Sequence, residues 1–386
     1  MELGADDDIL ELEPLLSRYG ARFERAFPGV SIDMDVDLAQ VYIITVPAGR
    51  QAVQDELTKL LTADTENVDF VELNRSVTLV PLPESPAASS LASGQRLAND
   101  PLAESQWAFD AANIDGAHEI LSRAEPVRKA IVAILDTGVD AQHEDIRGTF
   151  FASPASDDAH GHGTHCAGIA GAATNNGVGM ASLNWEGKFV EVASYRALSS
   201  SGMGTVESIA QAVIDATTDG ADVISMSLGD YSPTPPRVIR EAIDFAQQRE
   251  VIVVAAAGNS NQDAGDHMPA NIDGVIAVSA IDASLRKATF SNTNVSLKRP
   301  IAAPGVDILS LVPKGGYETK SGTSMATPLV AGLLGSMRAL DPGLTAERAY
   351  EILHTTGREV DDSRQVGRVI DAGRAIAEIA GSRSSS

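Results

Sequence analysis

From about Asn99 onward the chain alternates short apolar runs with amphipathic segments, and this alternation limits the folds that it can adopt. The apolar runs predict buried strands at Ala130–Leu135, Phe189–Ala197, Ala221–Leu228, Val251–Ala257 and Val275–Ala280. The amphipathic segments predict helices at Thr205–Thr218, Pro236–Gln248, Ser324–Leu340 and Thr345–His354. Strands that are apolar on both faces and alternate with helices are typical of a parallel sheet covered on both sides. The sequence therefore predicts an α/β protein.

The N-terminal part of the chain follows a different pattern, which predicts a small α+β domain at residues 1–84. Its predicted elements are a helix at Ile9–Phe27, strands at Val30–Val36 and Gln40–Val46, a helix at Arg50–Leu61 and a strand at Val68–Pro81. Residues 85–98 are rich in small residues without periodicity and predict an exposed linker. We expect a second domain at 99–380 and a disordered tail at 381–386, since 386 residues suffice for two domains.

The charge and composition limit the partners of the chain. A formal net charge of −24 argues against nucleic acid or an anionic membrane surface as a principal partner, and we interpret it as an aid to solubility. Cys166 is the single cysteine, so no intrachain disulfide can form. No apolar run approaches membrane-spanning length. Because the first residues are acidic, we expect a cytoplasmic location, or a secreted one if a signal segment has been removed.

Three short motifs supply an acid, an imidazole and a hydroxyl, in this order along the chain: Asp136-Thr137-Gly138, His162-Gly163-Thr164-His165 and Gly322-Thr323-Ser324-Met325-Ala326. A serine hydroxyl is a poor nucleophile unless a base takes its proton and a carboxylate orients that base, so the three groups predict a nucleophilic hydrolase. Asp-Thr-Gly also occurs in aspartic proteases, but a second such motif is absent. The two histidines could bind a metal, but no third ligand follows at a recognisable spacing.

The motifs DTG, HGTHCAG, SLG, AAGN and SGTSMATP occur in this order, and from about residue 99 to residue 378 the chain resembles the subtilisin family of serine proteases. The segment Cys166–Met180 and Asn99-Asp100-Pro101 are particularly similar to the thermitase branch. The resemblance implies a three-layer α/β/α fold with a mainly parallel sheet. It also implies that the α+β domain in front corresponds to an inhibitory and folding-assisting pro-region.

The resemblance assigns a role to four residues of the predicted active site. Asp136 would be the orienting carboxylate, His162 the general base and Ser324 the nucleophile. Asn259 would donate its side-chain amide to the oxyanion. Independently of the resemblance, Ser324 opens a predicted helix, where free backbone N–H groups and the helix dipole favour negative charge.

The same resemblance predicts how a peptide substrate binds. Two extended segments, Gly202-Met203-Gly204 and Ser227-Leu228-Gly229, would hold it as an added strand. Small residues around Ala256 and Gly258, without an acidic residue in the second segment, predict a broad apolar pocket for the residue before the cleaved bond. Gly202–Glu207 also imitates a dinucleotide-binding motif, but Glu207 replaces the last glycine, so a nucleotide site is rejected.

A structural calcium site is also implied by the resemblance. Its side-chain ligands would be Asp100, Asp145 and Asn176, and backbone carbonyls at Ala173, Val178 and Met180 would complete an oxygen-only set, which suits Ca²⁺. We interpret Cys166 as a small buried packing residue.

Three functions are compatible with these motifs. The first is an active serine endopeptidase that hydrolyses peptide or protein substrates through an acyl-enzyme and is inhibited by its own N-terminal domain. The second is a cytoplasmic regulatory protease that stays inactive until an activating protein partner releases it. The third, a catalytically dead peptide-binding module, is disfavoured because Asp136, His162, Ser324 and Asn259 are all intact.

Overall fold

A computed structural model describes residues 1–79, 82–83, 96–151 and 153–383. The first part contains, in chain order, β1 (Glu2–Leu3), α1 (Ile9–Arg18), β2 (Arg22–Arg25), α2 (Val36–Ala39), β3 (Tyr42–Thr45), α3 (Gln51–Ala63), β4 (Val68–Phe70) and β5 (Ser76–Thr78). Residues 85–95 of the predicted linker lie outside the described residues.

The second part begins with a 3₁₀ turn at Ala103–Ser105 and carries a second one at Ala264–Asp266. Its strands and helices are α4 (Ala108–Ala112), α5 (Ile114–Leu121), β6 (Ala130–Asp136), α6 (His162–Gly171), β7 (Val190–Arg196), β8 (Met203–Thr205), α7 (Val206–Thr218), β9 (Val223–Met226), β10 (Asp230–Tyr231), α8 (Arg237–Gln248), β11 (Ile252–Ala256), β12 (His267–Met268), β13 (Ile276–Ile281), β14 (Pro300–Pro304), β15 (Ile308–Val312), β16 (Gly316–Lys320), α9 (Thr323–Leu340), α10 (Ala346–Thr356), α11 (Ser363–Val366), β17 (Arg368–Val369) and α12 (Ala372–Arg383). The last helix continues three residues into the segment predicted as a disordered tail.

A seven-stranded sheet forms the centre of the second part, with strand order β17-β14-β13-β11-β9-β6-β7 and parallel pairing throughout. Side chains alternate between its faces, so that Val132 and Ile134 of β6 join one apolar core, and Ala133 and Leu135 join the other. Helices α6 and α9 contribute to the first core, and α7 and α8 contribute to the second. The predicted α/β fold with a mainly parallel sheet between two helical layers is confirmed.

The strand order places a crevice at the end of β6. The chain passes from β6 to β7 at one edge of the sheet and then returns to β9 on the opposite side of β6. In open parallel sheets, sites form beyond the carboxyl ends of the strands where the order reverses in this way. Asp136 is the last residue of β6, and Ser227 follows β9 directly, so both lie at this crevice.

Helix α9 is buried along its entire length, from Thr323 to Leu340. A helix that is apolar all round is stabilised by packing on every side, which fixes the position of its first turn. Because Ser324 lies in that first turn, it is held on one of the most rigid elements of the molecule.

The N-terminal part has a small apolar core of its own, which includes Leu12, Leu16, Leu57 and Leu61. A second set of its residues, including Phe27, Val30 and Leu38, joins the core formed by helices α7 and α8. The N-terminal part therefore packs on the helical layer of the second part through buried apolar side chains.

Three of the predicted N-terminal elements are wrong in extent or type. The predicted helix Ile9–Phe27 ends at Arg18, because Gly20 adopts a left-handed conformation (φ 66°), and Arg22–Arg25 then pairs with Tyr42–Thr45 as a strand. The predicted strand Val30–Val36 is a turn that leads into α2, whose start is capped when the Asp35 carboxylate accepts the Leu38 N–H at 3.0 Å.

The third correction concerns the predicted strand Val68–Pro81, which is two short strands with different partners. Val68–Phe70 pairs with Glu2–Leu3 inside the N-terminal part. Ser76–Thr78 instead pairs antiparallel with Met203–Thr205 of the second part, with Val77 opposite Gly204. Val80 and Pro81, the last residues of the predicted strand, lie outside the described residues.

None of the helices in the described part of the chain is both long and apolar enough to cross a membrane.

Candidate active site

The side chains of Asp136 and His162 are hydrogen bonded at the end of β6. His162 Nδ1 lies 2.8 Å from Asp136 Oδ1 and 2.9 Å from Oδ2, and both side chains are buried. The carboxylate also accepts the Thr137 N–H at 2.8 Å. With Nδ1 turned to the carboxylate, the second ring nitrogen, Nε2, is left without a hydrogen-bond partner among the described residues. The imidazole is therefore oriented with Nε2 free to exchange a proton.

A close approach of two backbone segments brings these side chains together. His162 is the first residue of α6, and this helix packs against the loop after β6 through Gly163. A methyl group placed on Gly163 would lie only 2.1 Å from the Gly138 carbonyl oxygen and 3.1 Å from Asp136 Cβ. Any larger residue would push α6 away from the strand end, so glycine is required at this position.

The buried carboxylate of Asp158 organises the start of α6. It accepts hydrogen bonds from the Thr137 hydroxyl at 3.0 Å and from the Thr164 hydroxyl at 2.8 Å. It also accepts the backbone N–H groups of His160, Gly161 and Thr164 at 2.9–3.0 Å. These contacts tie the Asp136 loop to the helix that carries His162. Sequence reasoning missed this residue, although an acidic residue just ahead of a helix is a recognisable capping signal.

Ser324 lies in the first turn of α9, on the other side of the crevice. Its hydroxyl donates to the Ser227 carbonyl oxygen at 3.2 Å. The Ser227 hydroxyl in turn donates to the Ser324 carbonyl oxygen at 2.9 Å. Cys166 links the two sides, because its Sγ lies 3.4 Å from the Ser324 carbonyl oxygen and 3.9 Å from His162 Nδ1. The thiol fills the space behind the imidazole.

Asn259 presents an unused amide N–H₂ group next to the backbone of Ser324. Its Oδ1 accepts from both the Thr323 N–H and the Thr323 hydroxyl at 2.9 Å, which fixes the orientation of the amide. Its Nδ2 is buried and has no partner within the described part of the chain. A methyl group placed on Gly322 would lie 3.4 Å from this Nδ2 and 3.6 Å from the Ser324 N. The two nitrogens therefore border the same point, where an anionic oxygen would be stabilised.

The titration of this site is dominated by burial and by the Asp136 carboxylate. Burial is the largest single influence and lowers the pKa of His162, but the interactions with Asp136 and Cys166 together outweigh it, so that the net pKa lies above its ordinary value. Burial raises the pKa of the Cys166 thiol, which keeps the thiol neutral. Burial lowers the pKa of His165 to about 3, and this ring is anchored to the Glu318 carbonyl oxygen at 3.0 Å.

A small pocket opens beside Ser324. Its walls include five of the predicted substrate-binding residues, namely Ser227, Leu228, Gly229, Ala256 and Gly258, and they also include Thr323, Ser324, His267 and Met268. His267 and Met268 were missed by sequence reasoning because they come from β12, which carries no motif. The other three predicted residues, Gly202, Met203 and Gly204, lie along a separate edge at and before β8.

The edge formed by β8 is occupied by the N-terminal part of the same chain. Thr78 pairs with Met203, and Val77 is fully buried opposite Gly204. The extended run continues beyond the strand, because the Leu79 N–H donates to the Gly202 carbonyl oxygen at 2.7 Å. Leu82 lies further along, where its Cδ2 would be 3.0 Å from a methyl group placed on Gly322. The chain thus covers both the β8 edge and the vicinity of Asn259.

The six residues predicted to hold calcium converge on one loop. Asp100 accepts the Asn175 and Asn176 N–H groups at 2.7 and 3.1 Å, and Asp145 accepts the Asn176 side-chain amide at 3.0 Å and the Met180 N–H at 2.9 Å. The remaining two residues belong to the same loop, because Ala173 N–H donates to the Asp145 carbonyl oxygen and Val178 N–H to Asn176 Oδ1.

The donor set of this loop fits a hard cation. Burial raises the pKa of Asp145 to about 6 and also raises that of Asp100, and neither carboxylate has a Lys or Arg partner in the described part of the chain. The Oδ2 atom of Asp145 also accepts the Tyr317 hydroxyl at 3.5 Å, so a cation would displace hydrogen bonds at this carboxylate. Ca²⁺ binds carboxylate oxygens together with amide and backbone carbonyl oxygens. A cation would compete with the Asn176 amide for Asp145.

A different metal grouping is formed by Asp136, His162 and Cys166. Within the described ranges, this is the one group of at least three carboxylate, imidazole or thiol ligands whose atoms lie within 4.8 Å of one another. All three are buried, and a metal bound to them would replace the hydrogen bond between Asp136 and His162.

A buried carboxylate, an oriented imidazole and a serine at a helix start, at the carboxyl end of a parallel sheet, define a serine hydrolase of the α/β class. Residues 128–369 match the family described as "Peptidase_S8: Subtilase family". The chain belongs to the subtilase family and is a subtilisin-like serine endopeptidase.

Individual relatives agree with this assignment. The chain is 37% identical over 245 residues to Subtilisin DY from Bacillus licheniformis, covering 61% of this chain and 86% of that protein. It is 38% identical over 213 residues to Thermitase from Thermoactinomyces vulgaris, covering 53% and 74%. Among solved structures, a protease of Pseudoalteromonas arctica PAMC 21717 superposes with a TM-score of 0.65 at 27% identity, covering 73% of this chain and 99% of that one. A cold adapted subtilisin-like serine proteinase gives a TM-score of 0.55 at 33% identity, covering 63% and 88%.

Proposed function

We propose that this chain hydrolyses peptide bonds through Asp136, His162 and Ser324, with Asn259 as a donor to the oxyanion. His162 Nε2 takes the proton of the Ser324 hydroxyl as Oγ attacks the carbonyl carbon of the substrate. The Asp136 carboxylate holds the Nδ1–H and stabilises the imidazolium that forms. The oxyanion receives hydrogen bonds from Asn259 Nδ2 and the Ser324 N–H. His162 then gives its proton to the leaving amine, and water releases the acyl group by the reverse sequence.

The observation that carries this proposal is a pair of unpaired nitrogens, one on the His162 ring and the other on the Asn259 amide beside the Ser324 backbone. Buried polar groups are nearly always hydrogen bonded, so an exception needs a reason. Here His162 Nε2 and Asn259 Nδ2 both have no partner among the described residues, while the other end of each side chain is firmly held. A base and an oxyanion donor need this arrangement, because each becomes paired only as the reaction proceeds.

The mode of substrate binding is supported by the contacts that the chain makes with itself. The antiparallel pairing of Ser76–Thr78 with β8 occupies the edge where a peptide substrate would add as a strand. A substrate bound there would extend toward the pocket beside Ser324 and place the residue before its cleaved bond in that pocket. We infer that the N-terminal part inhibits the enzyme, because it competes for the same edge.

Two polar contacts outside the β8 edge support a stable inhibited state. Arg237, the first residue of α8, donates to Glu2 of β1 at 3.0 Å. The carboxylate of Glu72 accepts the backbone N–H groups of Arg237 and Val238 at 2.9 and 3.1 Å, and so caps the start of α8. These contacts hold the N-terminal part in place until the chain is cut. The second candidate function, a protease that an activating protein partner must release, would require the same contacts and differs only in what ends them.

Calcium binding is proposed for the loop that joins Asp100, Asp145 and Asn176, with backbone carbonyls of Ala173, Val178 and Met180. The support is the donor set of two buried carboxylates without cationic partners. A bound ion would neutralise their repulsion and join the start of the second part to the loop after α6.

The test uses a fluorophosphonate, which reacts with an activated serine, followed by intact mass and peptide mapping. We expect one adduct, on Ser324, and no adduct on Ser324→Ala. The matched control is Ser336→Ala, since Ser336 is a buried serine in the same helix whose hydroxyl donates to the Gly332 carbonyl oxygen. The control should label like the wild type. An adduct on Ser324→Ala would remove Ser324 from the mechanism.

A further inference from the structure

An imidazole lines the pocket beside Ser324. His267 belongs to β12 and is held there by antiparallel pairing with β10, in which it lies opposite Tyr231. Its ring packs edge-on against the Tyr231 ring, with the centroids 5.8 Å apart and an angle of 84° between the planes. The residue is 7% exposed, so its ring has a fixed position in the wall of the pocket.

One nitrogen of this ring has no hydrogen-bond partner among the described residues. This nitrogen is Nε2, which is buried. Nδ1 lies on the side of Gly258, another residue of the pocket wall, at 3.4 Å from a methyl group placed there. Because an unpaired buried nitrogen costs about as much as a lost hydrogen bond, a ligand that pairs with this ring gains that free energy on binding.

The charge of the ring depends on its surroundings. Burial lowers the pKa of His267, and the carboxylates of Asp230 in β10 and Asp266 next to it in the chain oppose this in part. Tyr231 faces the ring edge, and Arg75 of the N-terminal part reaches the neighbouring Met268 at 3.9 Å from Sδ. The imidazole is therefore neutral near pH 7, and it gains a proton in acid.

We propose that His267 is a specificity residue, which makes the pocket prefer glutamine to an aliphatic residue of similar size immediately before the cleaved bond. A glutamine side chain offers both a donor and an acceptor, so it pairs with either neutral tautomer of the ring. When the ring is protonated, its positive charge attracts a glutamate side chain more strongly than a glutamine side chain. This inference rests on the proposed function. The pocket, which was predicted to be broad and apolar, then has one polar wall formed by His267.

The experiment compares three peptides that differ only before the cleaved bond, with glutamine, leucine or glutamate. Wild type, His267→Leu and His267→Asn are assayed after self-processing, with active sites counted by the fluorophosphonate. We expect the glutamine-to-leucine ratio of kcat/KM to fall about tenfold in His267→Leu. His267→Asn places an amide near the position of Nδ1 and should retain the preference. In the wild type, the glutamate-to-glutamine ratio should rise as the pH falls from 8 to 5. It should change less in both variants, where only the glutamate side chain of the peptide itself titrates.

Ratios are used because protonation of His162 affects all three peptides equally and cancels. An unchanged glutamine-to-leucine ratio in His267→Leu would overturn the inference. The inference would also be overturned if the glutamate-to-glutamine ratio in His267→Asn depended on pH as steeply as in the wild type. If His267→Leu fails to label, His267→Asn carries the test alone through its pH dependence. Normal labelling of Ser324 with no effect of His267 leaves the proposed function intact, whereas absent labelling of the wild type contradicts the proposed function itself.

Discussion

At the scale of single residues, the hydrogen bonds of Asp158 fix the position of the loop after Asp136 relative to the start of helix α6. Its carboxylate accepts two hydroxyl and three backbone donors, so both oxygens are fully used. The Thr137 hydroxyl that binds it also accepts the Gly163 N–H at 3.1 Å. Asp158 is therefore a positioning residue, which acts on His162 through the helix start.

We expect Asp158→Asn to lower kcat by about tenfold or more while leaving KM nearly unchanged, because an amide cannot accept the Thr164 N–H with its nitrogen. Steady-state kinetics on the processed enzyme measures both quantities. The matched control is Asp157→Asn, since the side chain of Asp157 is 79% exposed and binds Arg196 at the surface. Equal losses in the two variants would contradict the positioning role of Asp158.

Asn259 is expected to act in the transition state alone. Asn259→Leu should reduce kcat by about 10²- to 10³-fold, the range measured for the corresponding donor of subtilisin, with little change in KM. A stopped assay over a range of substrate concentrations separates the two constants. A variant that raised KM at unchanged kcat would show that Asn259 binds the ground state, against our account.

Sequence patterns single out residues that lie in motifs, and they miss residues that reach the site only through tertiary structure. Asp136, His162, Ser324 and Asn259 are recognisable because their neighbours form family patterns. His267 is not recognisable in this way, because it lines the pocket only as a result of the pairing of β12 with β10. The sequence cannot report which distant strand contributes to a cavity wall.

At the scale of elements, five of the seven strands of the sheet were predictable, whereas β14, β17 and the short strands of the N-terminal part were not. Strands such as Ile252–Ala256 are buried on both faces and read as continuous apolar runs. Arg22–Arg25 is mostly exposed and charged, and its strand conformation comes from pairing with Tyr42–Thr45. Ser76–Thr78 likewise becomes a strand because it finds the edge of β8.

The contact between β1 and α8 contains two carboxyl groups that must share a proton. Glu2 and Glu241 both bind Arg237, at 3.0 and 2.6 Å, and their second oxygens are buried without a donor in the described part of the chain. Burial and the neighbouring Glu241 raise the pKa of Glu2 to about 9, and burial also raises the pKa of Glu241. The proton can hydrogen bond one carboxyl to the other only while the N-terminal part is docked.

Docking of the N-terminal part should therefore weaken as the pH rises. A carboxyl whose pKa is higher in the docked state stabilises that state fully below its ordinary pKa of 4.5, and this contribution is lost progressively up to about pH 9. In full-length Ser324→Ala, hydrogen exchange of Ser76–Thr78, corrected for intrinsic rates, should be faster at pH 8 than at pH 5 by about tenfold or more.

Adding Glu2→Gln should flatten this pH dependence, since an amide supplies its own hydrogen to Glu241. The control is Glu13→Gln, a change of an exposed residue in α1. If Glu2→Gln and Glu13→Gln showed the same steep dependence, the carboxyl pair would not govern docking.

At the scale of the whole molecule, the loop at residues 173–180 donates hydrogen bonds to both Asp100 and Asp145. It thereby connects the start of the second part to its central layers. If this loop binds calcium, a chelator should lower the melting temperature of the wild type, because removal of a ligand that binds the native state lowers its free energy of unfolding. Differential scanning calorimetry with and without calcium measures the shift. Asp145→Asn should abolish the response, whereas the neighbouring exposed Glu144→Gln should keep it. A melting temperature that does not change when an effective chelator is added would exclude the calcium site.

The position of the expected self-cleavage follows from where each part of the chain is held. Arg96 is buried and binds both Asp110 and Asp115, so the second part is anchored from this residue onward. Leu82 still lies beside Gly322. We therefore expect self-cleavage to occur between these two positions.

The most direct test of the central claim is the intact mass of the purified chain, followed over time at neutral pH, for the wild type, Ser324→Ala and Ser336→Ala. We predict that the wild type and Ser336→Ala lose the N-terminal part and gain a new N-terminus at residues 83–96, while Ser324→Ala keeps its full mass. Shortening of Ser324→Ala in a protease-free preparation would contradict self-processing by Ser324. A wild-type chain that stayed intact until another protein was added would contradict spontaneous release and would identify a protease that requires an activating partner.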